Sequence, residues 1–237
     1  QELDSLLVKE SERLIRSQRF VRSVVIKPIA IENCQDSIDI SVRVLDTWSL
    51  IPTGAFSNSK ANLELTERNF FGLGHEVSLD YIRSFTNNTF AYDSRYTIRN
   101  FKNSFVNASV SSRTDLLNNT YKAVKIERPF YSTLAHWAGG FYYDYKNYSE
   151  FLTNASLVTS YQNYKIKTYE FWAAHSSKIF AGNSDFSRAT NLITSLGFTN
   201  TTYLKQPELS YDPIRFSNSS KRYLATIGIS SQQFYQD

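Results

Sequence analysis

The chain has 237 residues and a mass of 27.3 kDa; it carries 17 Phe, 16 Tyr and 3 Trp, and only 20% of its residues are charged. That much aromatic side chain excludes intrinsic disorder, and a mean hydropathy of -0.38 without an apolar run near ~18 residues excludes a helical membrane protein. A single cysteine, Cys34, excludes an internal disulfide framework and a cysteine zinc site, and a net charge of +4 spread along the chain argues against a nucleic-acid partner.

Composition breaks near Trp48. Residues 1–47 hold one aromatic, Phe20, and are slightly acidic; residues 48–237 hold all the others and are basic. In the first part Leu3, Leu7, Leu14 and Ile15 fall close to one face of a helix over residues 3–18. Residues 20–26 are β-branched and predict a strand stopped around Pro28, residues 33–36 a turn. Ile38, Ile40, Val42 and Val44 then alternate with polar residues, as in a strand with one dry side. The N-terminus is acidic and shows no signal peptide. About 45 residues is marginal for an independent core, so a further strand and helix are expected upstream.

The second part repeats another unit. Leu63 and Leu65 alternate with Asn62, Glu64 and Thr66; Val77, Leu79 and Tyr81 with Glu76, Ser78 and Asp80; Tyr92, Tyr96 and Ile98 with Asp93, Arg95 and Thr97. Phe141, Tyr143 and Tyr145 stand opposite Tyr142 and Asp144, and Tyr223, Ala225, Ile227 and Ile229 opposite Arg222 and Thr226. Turn signals at Asn87-Asn88, Lys102-Asn103 and Asn118-Asn119 predict strands of roughly 9–12 residues joined by short connections. A soluble sandwich or lipocalin-like barrel puts the apolar side inward; a membrane barrel puts it in lipid and the polar side against water. Period two fits both. Long strands, abundant Tyr and hairpin connections favour the membrane barrel.

The order of these pieces resembles a known family. The runs E-R-L-I-R-S-Q-R-F-V-R-S-V-V-I-K-P (residues 12–28) and D-S-I-D-I-S-V-R-V-L-D-T-W-S-L (36–50) look like the later part of a POTRA domain passing into a barrel. The run L-E-L-T-E-R-N-F-F-G-L-G-H-E-V-S-L-D-Y (63–81) is similar to an early hairpin of BamA/TamA-type outer-membrane proteins, with Asn69, Phe70, Phe71, Gly72 and Gly74 at a periplasmic turn. E-R-P-F-Y-S-T-L-A-H-W-A-G-G-F-Y-Y (127–143) looks like another strand-turn-strand unit of that family.

The resemblance implies a mostly β chain. Residues 1–47 are the C-terminal part of an α+β POTRA-like periplasmic domain. Residues 48–237 are about ten or eleven strands of an antiparallel up-and-down transmembrane β-barrel, part of a 16-stranded one. The family's late Arg-Gly-Phe/Tyr loop motif is not present, so the chain reads as an internal stretch of a longer protein. It further implies a gate at the first barrel strand, at Leu50, Pro52, Thr53, Gly54, Ala55 and Phe56, where Pro52 lacks an N–H and Gly54 a side chain. A POTRA edge at Val24, Val25 and Ile26 is implied to accept a client strand.

No chemistry-bearing motif competes with this reading. His75, His136 and His175 stand apart in strand patterns, Glu64 and Glu67 fit a hydrated lumen or rim, and no nucleophile-elbow, P-loop or zinc-protease signature occurs. Neither an enzyme activity, nor a cofactor, nor a metal is expected. The implied partners are the outer-membrane bilayer, an unfolded outer-membrane protein or passenger client, and periplasmic or lipoprotein accessory subunits. The implied role is assembly, insertion or translocation by strand pairing at a weak seam in the outer membrane of a Gram-negative bacterium. The alternatives are a barrel anchoring or exporting a fused or partner domain, and a soluble ligand-binding β-sandwich.

Overall fold

The computed structural model describes residues 5–31, 37–132, 135–153, 157–180, 190–207 and 218–231. A helix, α1 (Ser5–Arg16), precedes a two-stranded antiparallel hairpin, β1 (Val21–Ala30) and β2 (Ile38–Asp46). Ten further strands form one antiparallel sheet in chain order: β3 (Leu50–Phe56), β4 (Lys60–Phe70), β5 (His75–Ser84), β6 (Thr89–Ile98), β7 (Asn107–Thr114), β8 (Thr120–Arg128), β9 (Trp137–Thr153), β10 (Thr159–Lys178), β11 (Thr190–Lys205) and β12 (Ser219–Ser231). Among the described residues β3 and β12 are the two edges and do not pair with each other.

Three expectations need correction. β1 runs through Pro28, which pairs with Ile40, because proline is tolerated in an edge strand. Strands β9, β10 and β11 have 17, 20 and 16 residues, well beyond the expected length. The aliphatic side of β2 is not dry: α1 covers Val24, 1% exposed, but leaves Ile38, Ile40, Val42 and Val44 open. The turn expected at residues 33–36, and Cys34 within it, lie outside the described residues.

Register carries side-chain parity across the sheet, with shifts near the ends of the β4–β5 pairing, between Glu67 and Phe70, and of the β10–β11 pairing, between Lys165 and Ile166. One face bears rows such as Leu63–Tyr81–Tyr92, Tyr96–Val110–Val124–Tyr143–Tyr169 and Ala108–Ile126–Phe141–Phe171–Phe198–Tyr223. The other bears Glu64–Asp80–Asp93–Arg113–Tyr121–Lys146 and Glu76–Thr97–Ser109–Lys125–Tyr142–Glu170–Thr199–Arg222. The apolar face is the uncovered one: Leu79 is 47% and Val110 55% exposed. On the polar face Asp144 is 2% exposed, and Glu76, Thr97, Ala123, Ala138 and Ala174 are buried. Polar-face residues of β5–β9 line a hollow of about 320 Å³.

The apolar stretch also slants across the strands. Leu79, in the middle of it on β5, shares its row with Ser219 on β12. On β12 the stretch runs from Tyr223 to Ile229, so its centre has moved by about one residue per strand crossed. At ~3.3 Å per residue and ~4.8 Å between strands, that slip corresponds to a strand tilt of about 35° against a level apolar band.

Turn chemistry follows the sequence signals. Asn88 and Asn118 take positive φ between β5 and β6 and between β7 and β8, a conformation asparagine tolerates. Beyond Ser149 the β9–β10 hairpin outruns both neighbours: β8 pairs with β9 no further than Asn147, and β11 with β10 no further than Lys165.

On the polar face the Trp172 indole lies across Gly140 on the neighbouring strand; a Cβ there would sit 2.5 Å from Nε1. Gly140→Ala is therefore expected to destabilise the sheet by ~1–3 kcal/mol through overpacking. Urea unfolding followed by tryptophan emission checks this, and a second change, Trp172→Leu, should relieve it.

Candidate functional site

The connections between strands alternate between two ends of the sheet. The helix-hairpin module joins β3 at the same end as the turns after β4, β6 and β8, and it docks there. Phe20 packs against the Gly74 backbone, where a Cβ would touch its ring at 3.4 Å. Arg13 donates from Nη2 to the Tyr131 carbonyl, and Arg13 also pairs with Glu10 at 2.8 Å. Arg19, between α1 and β1, reaches the polar face: its Nη1 lies 3.2 Å from Glu76 Oε1, while Arg99 Nη2 lies 3.3 Å from Glu76 Oε2. One buried carboxylate on β5 thus ties the module to the sheet and to Arg99, just past the end of β6.

The turn at Asn69, Phe70, Phe71, Gly72 and Gly74 is the closest of these docking points in sequence. Asn69 Oδ1 accepts the Gly74 N–H at 2.8 Å, and the Asn69 carbonyl accepts the Gly72 N–H at 2.8 Å. Gly72 and Gly74 both take φ near +70°, which L side chains adopt only with strain. Phe70 meets Tyr96 edge-on, and the Tyr96 hydroxyl is 2.6 Å from His75 Nδ1. The other two histidines are likewise held locally: His136 Nδ1 is 3.3 Å from the Ser176 carbonyl, and the His175 ring lies tilted against Trp137 with its Nδ1 3.0 Å from Ser177 Oγ.

The residues of the expected gate, Leu50, Pro52, Thr53, Gly54, Ala55 and Phe56, make up most of β3. They pair with β4 without interruption, from Leu50–Glu67 to Phe56–Ala61, and among the described residues nothing pairs with their other side. Val24, Val25 and Ile26 lie on β1, which pairs with β2 alone. Val24 faces α1 and Val25 points to the opposite, exposed side. The two sets are not brought together: one is an edge of the large sheet, the other sits in the module.

Further along the polar face is a network that sequence reasoning missed. The hydroxyls of Tyr121 and Tyr142 are 2.6 Å apart, Tyr142 donates to Asp144 Oδ2 at 2.9 Å, and Lys146 Nζ lies 3.1 Å from the same oxygen. Alternation in the sequence placed Tyr142 and Asp144 on one side, but only register puts Tyr121 opposite Lys146. The Arg19–Glu76 link had no sequence signal at all, because its partners are 57 residues apart.

No family model and no curated protein matches the chain. Among solved structures, the crystal structure of BamA from Haemophilus ducreyi lacking POTRA domains 1–3 is similar over 84% of this chain and 50% of its own, with 12% identity and a TM-score of 0.41. The chain thus spans about half the length of that structure.

Glu76→Gln should weaken both ion pairs and loosen the module. Because Arg19 is about half exposed, the loss in global stability is expected to be about 1 kcal/mol or less. The sharper readout is proteolysis: cleavage near residues 47–49 should quicken in Glu76→Gln and in Arg19→Ala, and much less in Arg22→Ala.

Proposed function

We propose that residues 48–237 form part of an outer-membrane β-barrel whose apolar face meets lipid and whose polar face lines water, with the module of residues 1–47 in the periplasm. One observation carries this reading: the apolar rows lie uncovered on one face of a single-layer sheet while the carboxylates of Glu76 and Asp144 are buried on the other. A soluble sandwich requires the reverse. The slant of the apolar band supports it, since membrane barrels tilt their strands by ~35–45°. The extended β9–β11 strands supply more than the ~9–11 residues a tilted crossing takes.

The role we assign is insertion or translocation of other β-strand proteins by templated pairing at β3. An edge strand presents unpaired N–H and C=O groups, and an incoming strand that pairs there avoids leaving its own backbone bare in lipid. The resemblance of residues 12–28, 36–50, 63–81 and 127–143 to BamA/TamA-type proteins points the same way.

Two experiments test this in turn. In lipid or detergent, Leu79→Arg should cost roughly 2–4 kcal/mol if that side chain lies at mid-bilayer, whereas Asp80→Asn should be near neutral. Equal tolerance, or a chain that stays monodisperse without detergent, refutes the lipid contact. For the role itself, single cysteines at Thr53, Gly54 and Ala55 in a Cys34→Ser background are paired with cysteines in the last strand of a co-expressed barrel client. Disulfides that form in a register repeating every two residues support templated pairing; their absence, with the barrel inserted, leaves a passive anchor.

A further inference from the structure

Charge on the apolar face is sorted by sign. Every carboxylate within β8–β12, namely Glu127, Asp144, Glu150 and Glu170, has polar-face parity, so the apolar side of these five strands carries none. Lys122, Lys165, Lys167 and Lys221 do share that side, and a register shift at the end of β11 brings Lys205 opposite Lys165.

Their placement follows the slanting band. On β8 the apolar stretch ends at Val124, on β10 at Tyr169 and on β12 at Tyr223, and in each case the next residue of the same parity, away from the module, is a lysine: Lys122, Lys167 and Lys221. Tyr145 on β9 stands between Lys122 and Lys167 in one row, and Thr202 on β11 follows Lys167. Lys167 Nζ lies 5.9 Å from the centre of the Tyr169 ring. Alternate strands are roughly 10 Å apart, so the three amines form an arc just beyond the aromatic edge. The carboxylate of Asp115, in the turn before β8, is engaged by the Leu117 and Asn119 N–H groups and the Asn119 amide.

Resting on the membrane reading above, we propose that this arc binds phosphate-bearing lipid headgroups in the leaflet at the end of the barrel away from the module. Aromatic side chains under the amines seat at the interface beside the acyl chains, and an acid-free row of cations matches repeated phosphates. Lysines that merely snorkel to water need not sit on a face free of carboxylates.

The test titrates the full chain in detergent with diphosphoryl lipid A and counts bound lipid by native mass spectrometry. The K122Q/K167Q/K221Q variant should bind at least tenfold more weakly, and lipid A stripped of its phosphates should bind the unaltered chain as weakly as the variant. Lys178→Gln, at the other end of β10, should leave binding unchanged. The proposal is overturned if the triple variant retains the lipid equally, if the phosphate-free lipid binds as well, or if inorganic phosphate displaces lipid A at equal concentration. Insertion into phosphatidylcholine vesicles is measured in parallel. A variant that inserts normally but shows no headgroup preference sinks the lysine arc alone; an unaltered chain that fails to insert sinks the barrel and the arc with it.

Discussion

Register is the constraint on which everything else in this molecule depends. The large sheet is one layer thick, so each side chain has only two environments, and a strand's parity decides which it meets. A slip of one residue at β9 would carry Asp144 and Tyr142 to the uncovered face and Phe141 and Tyr143 into the polar hollow. The penalty is large in either solvent, because a carboxylate loses its tyrosine and lysine partners at the same time as apolar surface changes sides. Nine consecutive antiparallel pairings inherit this choice from one another.

Much of that parity was legible in the sequence because period two is a local signal. Val77, Leu79 and Tyr81 against Glu76, Ser78 and Asp80 needed no knowledge of neighbours, and Asn88 and Asn118 marked turns because few other residues accept their backbone angles. Pro28 misled because a missing N–H matters only if that edge is needed. Ile38 to Val44 misled for a different reason: alternation says that one side of β2 is apolar, not that something covers it. The length of β10 was not legible because its outer half, with Ser160, Gln162 and Asn163, is too polar to look like strand. Long-range matters were out of reach. Nothing near Arg19 names Glu76, and the lysines at Lys122, Lys167 and Lys221 become an arc only after four strand pairings set their positions.

The module and the sheet are joined by few but different contacts: an aromatic ring on a glycine, a guanidinium on a carbonyl, and a carboxylate shared by two arginines. Each fixes a different loop or strand at the same end. Such a joint holds orientation without a large buried interface, and it keeps the open aliphatic side of β2 free. The polar hollow next to it remains lined by Arg95, Lys125 and Glu127 in addition to the shared carboxylate.

The overhang of the β9–β10 hairpin carries a last consequence. Residues 150–153 and 159–162 pair only with each other, and a ribbon of two strands coils more tightly than a wide sheet. Phe151 and Tyr161 inherit the apolar side by counting, yet their tilted ring pair stands on a stalk that no third strand holds. Out there, parity no longer says which way is oil and which is water, so that tip is the portion of the molecule whose surface chemistry can change without disturbing the wall beneath it.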